Sequence, residues 1–259
     1  MVDILLSGDH AQLRGQTYSS VYSPANEKYG LESRQQFAAL RGEFSGRYGA
    51  GASSEKMNVV LTGDTFKAEL FVPVWTSQML VSDWWQPAPL PISATVERKG
   101  AGWQVNVENH TDHTLSNARV VIDGSLMELG EVAANASKSF TVSKDQGTSL
   151  KRFVEGYGQS FQGAVQSRLR TFGGNESGRL DDLANGTVAA SFLSQLGGPN
   201  SQIMNFSQPT GLDLSSVAEH GNAILLAWAP DYTPVKPLHQ FSAKRNHNNT
   251  LWRLAIPLK

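Results

Sequence analysis

Cysteine is absent from this chain of 259 residues. Its absence excludes disulfide bonds, cysteine nucleophiles and metal sites built from thiolates. Long apolar runs are also missing, and none approaches the ~20 residues that a membrane-spanning helix needs. The opening residues, Val2-Asp3-Ile4-Leu5-Leu6, are too few and too acidic for the apolar core of a signal peptide.

Charge is scarce as well. Charged residues make up 17% of the chain and the net charge is −1, whereas soluble domains usually carry about 25% charged residues. Proteins that bind nucleic acid generally show a basic run or face, and none is visible here, so we expect no nucleic-acid partner. Phosphate-binding loops and nucleophile elbows are missing too. We therefore expect no cofactor and no catalytic site.

Alternation of polar and apolar residues dominates the sequence and predicts a mainly β fold. In the first part of the chain it predicts strands at Gln16–Ser23, Asn58–Leu61 and Phe66–Val81, with Pro73 marking an edge or a bulge. The next part has closely spaced short strands, which are typical of a small antiparallel sandwich. These five strands are Ile92–Arg98, Trp103–Glu108, Leu115–Asp123, Leu126–Leu129 and Ser139–Val142.

Three changes in pattern divide the chain. Prolines at 87, 89 and 91 predict an extended connector and a domain boundary. Helical periodicity predicts a pair of helices at Leu150–Phe172 and Leu180–Leu196. Strands return at Ala223–Ala229 and Thr250–Leu258, and we expect them to join the N-terminal strands because the ends of a domain often lie close together.

The predicted fold is therefore mainly β with a helical pair, in which an immunoglobulin-like sandwich accompanies a second β-rich domain. The predicted domains are a discontinuous one at 1–91 with 205–259, the sandwich at 92–145, and a helical segment at 146–204.

A candidate metal site lies at His110-Thr111-Asp112-His113. Two imidazoles and a carboxylate, from His110, Asp112 and His113, are ligands that zinc accepts. No ligand from outside the tetrapeptide is predicted nearby, and the tetrapeptide falls between two predicted strands. The other interpretation is therefore a turn, in which Asn, Asp and Thr make local hydrogen bonds to the backbone.

Tryptophans at positions 75, 84 and 85 cluster before the proline connector and give a candidate ligand-binding site. Exposed aromatic faces stack against sugars, so Trp84 and Trp85 are candidates for holding a glycan. The competing interpretation places Trp75 in the core and uses Trp84 and Trp85 to seal a domain junction, since large aromatic side chains usually contribute through buried area.

Two segments resemble extracytoplasmic immunoglobulin-like modules of uncharacterised bacterial membrane proteins. Residues 105–121 read VNVENHTDHTLSNARVV and residues 129–137 read LGEVAANAS, which is similar to the family pattern x-V-x-N-x-T-x-x-x-L-x-x-A-x-V followed by L-G-x-L-x-A-G-x-S. Asn135 stands where the family prefers glycine, and asparagine tolerates the left-handed backbone expected there. The segments at Ala223–Ala229 and Leu251–Leu258 are similar to the ends of such modules.

The resemblance implies a non-enzymatic scaffold or binding domain that is displayed outside the cytoplasm. Its partner would be a protein or a glycan. Both ends of the chain read as strands, so we expect an excised part of a membrane protein whose membrane contact lies in other segments. The alternative is a carbohydrate-binding or carbohydrate-active protein, which would need two carboxylates beside an exposed tryptophan.

Overall fold

The structure is a computed structural model that describes residues 1–7, 10–33, 35–43, 57–158, 183–196, 213–230, 232, 235–238 and 248–258. It is mainly β, with several antiparallel sheets and a few short helices, so the predicted fold class is confirmed at the level of a sandwich-like β protein.

Sixteen strands are present in the described residues. The strands are β1 (Val2–Ser7), β2 (His10–Ser23), β3 (Glu27–Ser33), β4 (Ala39–Glu43), β5 (Met57–Thr62), β6 (Thr65–Val72), β7 (Thr76–Ala88), β8 (Ile92–Lys99), β9 (Gly102–Asn109), β10 (Leu115–Ile122), β11 (Ser125–Val132), β12 (Ala136–Ser143), β13 (Thr148–Ser149), β14 (Asn222–Pro230), β15 (Val235–Leu238) and β16 (Asn249–Pro257). The helices are α1 (described over 150–158), α2 (Leu183–Ala190) and α3 (Ser215–Glu219), with short 3₁₀ turns at Lys144–Gln146 and Leu193–Leu196.

The chain forms two compact units, and unit 1 comprises Met1–Leu90 with Pro230–Thr250. Its strands lie in the orders β1-β2-β7-β4 and β15-β3-β6-β5. Burial alternates along β6, where Phe66, Ala68, Leu70 and Val72 are buried and the residues between them are not. This alternation is the pattern of a strand with one face on a core and one face in water.

The predicted strand at Phe66–Val81 is two strands, β6 and β7, which belong to different sheets. A turn separates them. The Thr76 hydroxyl donates to the Pro73 carbonyl at 2.7 Å, and Trp75 adopts a positive φ of 59°. Pro73 lies in this turn. Proline cannot donate a hydrogen bond to a strand ladder, so a turn suits it better than the interior of a strand.

Unit 2 comprises Pro91–Ala229 with Leu251–Lys259. All five strands predicted between 92 and 143 are confirmed, as β8 to β12. The turn between β10 and β11 has φ angles of 48° at Asp123 and 71° at Gly124, as the Asp-Gly pair of a tight hairpin requires. Asn135 also takes a positive φ, 51°, so the expectation of a left-handed backbone there is confirmed.

In the larger sheet of unit 2, in the order β13-β11-β10-β14-β16, the strands β10, β14 and β16 are buried on both faces. Five consecutive residues of β14, from Ala223 to Ala227, are buried, and β10 and β16 show the same pattern. The smaller sheet, β12-β9-β8, contributes Val105 and Val107 to the core. A continuous apolar run such as AILLAWA is what a strand needs when layers cover both of its faces.

Helices lie against this larger sheet. The Arg119 guanidinium of β10 stacks on the Phe153 ring of α1, 5.6 Å from its centroid. Arg253 of β16 donates through Nη1 to the hydroxyl of Ser191, just after α2, at 3.3 Å. The predicted helices are confirmed at 150–158 and Leu183–Ala190, whereas residues 159–182 lie outside the described residues.

The units divide the chain differently from the predicted domains. Strand β14 pairs with β10. Ala223–Ala229 therefore belongs to the sheet of unit 2, whereas we expected this segment to join the N-terminal strands. Strand β15 does pair with β3 of unit 1. Sequence periodicity indicates that a segment is a strand but not which distant strand it meets.

Candidate functional site

The adjacent residues Trp84 and Trp85 of β7 point to opposite faces of the sheet, as neighbours in a strand must. Trp84 is only 2% exposed. It pairs with Gly15 of β2, and a Cβ atom added at Gly15 would overlap the indole ring. Trp84 therefore belongs to the core of unit 1 and is not available to stack on a ligand. Trp85 is 36% exposed, so its ring is available to stack on a ligand.

Trp85 shares its side of the sheet with a group of polar and aromatic residues that strand pairing brings together. Arg14 lies directly opposite Trp85, and Asp3 lies opposite Arg14 on the next strand. Opposed residues in antiparallel strands place their Cβ atoms about 4.5–5.5 Å apart on the same face. We call this surface the Trp85 face; its residues are Asp3, Arg14, Gln16, Tyr18, Asp83 and Trp85.

An ion pair fixes the Arg14 side chain on this face. Arg14 donates to Asp3 Oδ2 from Nη2 at 2.7 Å and from Nε at 3.2 Å. The Asp3 side chain is almost buried, whereas that of Arg14 is about one third exposed. Because its guanidinium is anchored by charged hydrogen bonds, Arg14 presents donors in a defined position beside Trp85.

Polar and aromatic groups continue the face along the strands. Gln16 lies opposite Asp83, and Tyr18 lies opposite the buried Val81. The Tyr18 hydroxyl is 3.5 Å from Gln16 Oε1, and the Tyr18 ring is exposed. An amide, a phenol and a guanidinium beside an indole supply both hydrogen bonds and a flat apolar surface, which is the combination that small-ligand and glycan sites use.

The outer face of the second sheet of unit 1 has a different chemistry. Lys28 of β3 donates to Glu69 of β6 at 2.8 Å, and both side chains are exposed. This hydrogen bond and the negative charge of Glu69 raise the pKa of Lys28 above its usual value. An exposed ion pair of this kind contributes little to stability, and the aromatic residue in its register is Phe71, which lies directly opposite Lys28.

The candidate metal ligands are not brought together. His110 Nε2 lies 3.6 Å from Glu108, whereas His113 Nε2 lies 3.1 Å from Asp112, so the two rings face different carboxylates. Among the residues that the structure describes, no group of three or more His, Asp or Glu side chains is placed to hold a metal ion. The geometry therefore gives the metal interpretation no support.

Asn109 organises the same segment as a turn. Its side chain Nδ2 donates to the carbonyls of His113 and Ala133 at 2.8 and 2.9 Å, and its Oδ1 accepts from the backbone N–H and the hydroxyl of Thr111 at 3.0 and 2.7 Å. Asn109 is 1% exposed. The Asn-x-Thr pattern thus satisfies buried backbone groups, which is a structural role.

Residues 91–259 match the model of a family described as a domain of unknown function, DUF8725, and this match covers well over half of the chain. The chain belongs to the DUF8725 family. No curated protein matches it. The DUF8725 region begins where unit 2 begins, so the Trp85 face, which is built from residues 3 to 85, lies outside it. The family description does not test the resemblance to immunoglobulin-like modules, which stays a prediction.

Sequence reasoning identified Trp85 but missed the residues around it. Asp3, Arg14 and Gln16 are about seventy to eighty residues away in sequence, and only the register of β1, β2 and β7 places them beside the indole. Alternation along Gln16–Ser23 did place Tyr18 on one face of a strand. Trp75, expected in the core, is instead 62% exposed because it lies in the turn between β6 and β7.

Proposed function

We propose that this chain is a non-enzymatic binding or scaffold domain, displayed outside the cytoplasm by a bacterial membrane protein, and that the Trp85 face holds its partner. The observation that carries the proposal is the anchored Arg14 beside the half-exposed Trp85. An aromatic surface and a positioned arginine are the groups that dominate binding energies at protein interfaces.

The location rests on the sequence. The low share of charged residues and the resemblance of residues 105–137 to extracytoplasmic modules support display outside the cytoplasm. Within the part of the chain that the structure describes, no helix is both long and apolar enough to cross a bilayer. We expect the membrane anchor in segments that flank this sequence in its parent protein.

A glycan is the second candidate partner, and the composition of the Trp85 face favours it. Sugars stack on indole rings and exchange hydrogen bonds with amide, carboxylate and guanidinium groups. Gln16, Asp83 and Arg14 lie within one or two residue positions of Trp85 in the paired strands. A planar ring bordered by such groups would orient one or two sugar units.

Hydrolysis of that glycan is disfavoured because one of the two acidic residues on the face is already in an ion pair. The Asp3 carboxylate accepts a hydrogen bond from Arg14 at 2.7 Å, and its side chain is almost buried. A glycosidase needs two carboxyl groups, about 5–9.5 Å apart, that are both available to the substrate.

A glycan array tests the second candidate with the full chain. Wild-type protein and the Trp85→Ala, Arg14→Ala and Trp75→Ala variants would be applied at equal concentration. Trp75→Ala is the matched control, since Trp75 is exposed but lies ten residues away along the chain, in the turn that precedes β7. We expect Trp85→Ala and Arg14→Ala to lower the signal of any bound glycan at least tenfold, and Trp75→Ala to leave it unchanged.

A protein partner is tested by crosslinking. A photo-crosslinking amino acid placed at Tyr18 should give a specific adduct in the envelope fraction of the native bacterium, whereas the same group at Trp75 should not. Equal adducts at both positions, together with an array on which no glycan binds, would remove the Trp85 face as the binding site. A parent protein found only in the cytoplasmic fraction would refute the location independently of binding.

A further inference from the structure

Strand β5 of unit 1 is an edge strand with unusual chemistry. It has the sequence MNVVLT, without a charged residue, and Val59, Val60 and Leu61 are 36%, 53% and 68% exposed. The edge strands of the small sheet of unit 2 carry charges, such as Arg98 in β8 and Lys138 in β12. Natural proteins place charges on edge strands because a bare edge pairs with other chains.

Apolar side chains accompany the edge of β5 that no described strand covers. Met57, Val59 and Leu61 lie opposite Leu70, Ala68 and Phe66 of β6, all of which are buried in the core. The β5 residues share that core-side face, yet Val59 and Leu61 remain uncovered. Among the described residues, β6 is the only strand that pairs with β5. Within the described part of the chain, one row of backbone donors and acceptors of β5 therefore has no strand beside it, next to this apolar strip.

We propose that this edge binds the same edge of a second copy of the chain, in the antiparallel register that places Val59 opposite Val59. The sequence is self-complementary in this arrangement. A two-fold axis perpendicular to the sheet keeps the core-side faces of both copies on the same side, and Met57 then faces Leu61 of the other copy. Three apolar side chains from each copy form one covered strip.

Charge gives a small preference for this register over its symmetric neighbour. On the outer side of the sheet, Lys67 lies opposite Val60 and Glu69 lies opposite Asn58. With Val59 opposite Val59, each outer row runs from Lys67 of one copy, through Val60 and Asn58, to Glu69 of the other. With Val60 opposite Val60, the central row would have a Lys67 at both ends. The ends are about 14 Å apart, beyond the Debye length of ~8 Å in physiological salt, so the preference is weak and strongest at low salt.

The size of the contact predicts a weak dimer. A strand of six residues is about 20 Å long, and two such strands bury less than the ~1,200 Å² of a standard interface. We expect a dissociation constant of about 10 µM to 1 mM. Because the axis is two-fold and both copies use the same edge, the assembly closes at two chains.

Sedimentation velocity of the full chain between about 5 µM and 1 mM measures this equilibrium over the range of affinity expected from the interface size. We expect a reversible monomer–dimer transition. Val59→Lys places two like charges directly opposite each other and should weaken the dimer at least tenfold; Val59→Glu should do the same. Mixing these two variants in equal amounts should restore dimerisation, because the opposed charges then attract.

Val60→Glu is the matched control, since in the proposed register it faces Asn58 and should change the dissociation constant less than threefold. Far-UV circular dichroism and urea unfolding verify that each variant is folded. A chain that stays monomeric at 1 mM, open-ended oligomers, or a dimer that tolerates Val59→Lys would each overturn the proposal. So would a dimer that is broken by Val60→Glu instead.

Discussion

The principal sheets of the two units differ in how many of their faces are buried. In unit 2, β14 is buried continuously from Ala223 to Ala227. In unit 1, β2 alternates: Ala11 and Leu13 are buried, whereas Gln12 and Tyr18 are exposed. A sheet enclosed between two layers has no surface left for a partner. The sheet of unit 1 keeps part of one face, around Arg14, Tyr18 and Trp85, for polar and aromatic side chains, and the candidate binding surface lies there.

The difference in burial between the two units shows which part of the molecule the family match describes. The DUF8725 model covers unit 2, whose strands β10, β14 and β16 are mostly buried, together with the Pro230–Thr250 segment of unit 1. The Trp85 face and the β5 edge belong to unit 1 and are formed by residues 3–85, before the matched region begins. Knowledge of what other DUF8725 members bind would therefore test unit 2, and experiments on this chain are needed for unit 1.

The largest expected effect separates the two faces of β7. Trp84→Ala leaves a cavity beside Gly15 and should lower the free energy of unfolding by about 3–5 kcal/mol. Trp85→Ala should cost less than about 2 kcal/mol, because part of its ring is already in water. Urea unfolding followed by far-UV circular dichroism measures both. Equal losses would mean that both faces of this sheet are covered and that the Trp85 face is not a surface.

The second prediction tests burial on both faces of β14. Ile224 and Leu225 are adjacent and therefore point to opposite sides, yet both are buried. Ile224→Ala and Leu225→Ala should each cost about 2–5 kcal/mol. In β2, Leu13→Ala should cost a similar amount, whereas Tyr18→Ala should cost less than about 1 kcal/mol. If either β14 variant lowers the free energy of unfolding only slightly in the same measurement, the face to which that residue points is not covered.

The smallest expected effect compares two asparagines of β9. Asn109→Ala leaves buried carbonyls and the Thr111 N–H without a partner and should cost about 2–3 kcal/mol. Asn106 hydrogen-bonds Thr95 and Ser139 on the exposed side of the strand, so Asn106→Ala should cost less than about 1 kcal/mol. Calorimetry with and without added zinc completes the comparison. A stabilisation by zinc that Asn109→Ala abolishes would revive the metal interpretation of His110, Asp112 and His113.

Local chemistry in the sequence predicted local structure well. The Asp-Gly pair at 123–124 is a local signal for the hairpin that it forms, and the five alternating segments from Ile92 to Val142 indicated β8 to β12. Both signals depend only on residues that are neighbours in the chain, because side-chain direction in a strand and backbone angles in a turn are set locally. The apolar run at Ala223–Ala229 likewise indicated a strand, which is β14.

Long-range pairing could not be predicted in the same way. The partner of β14 is β10, about one hundred residues earlier, and nothing in either sequence specifies the other. The same limit applies to the candidate site. Alternation requires Trp84 and Trp85 to face opposite sides, but which one is buried depends on Gly15, whose missing side chain makes room for Trp84. Arg14 then falls beside Trp85 as a consequence of that register.

The buried amide of Asn109 has a consequence for producing this protein. Asn109-His110-Thr111 has the acceptor sequence for N-linked glycosylation, and a glycan would be attached to Nδ2. In the folded chain that nitrogen is buried and donates to backbone carbonyls, so an oligosaccharyltransferase could modify only chains that had not yet folded. A eukaryotic secretory host would thus divide newly made chains into two populations, and those carrying sugar at this position could no longer close the turn.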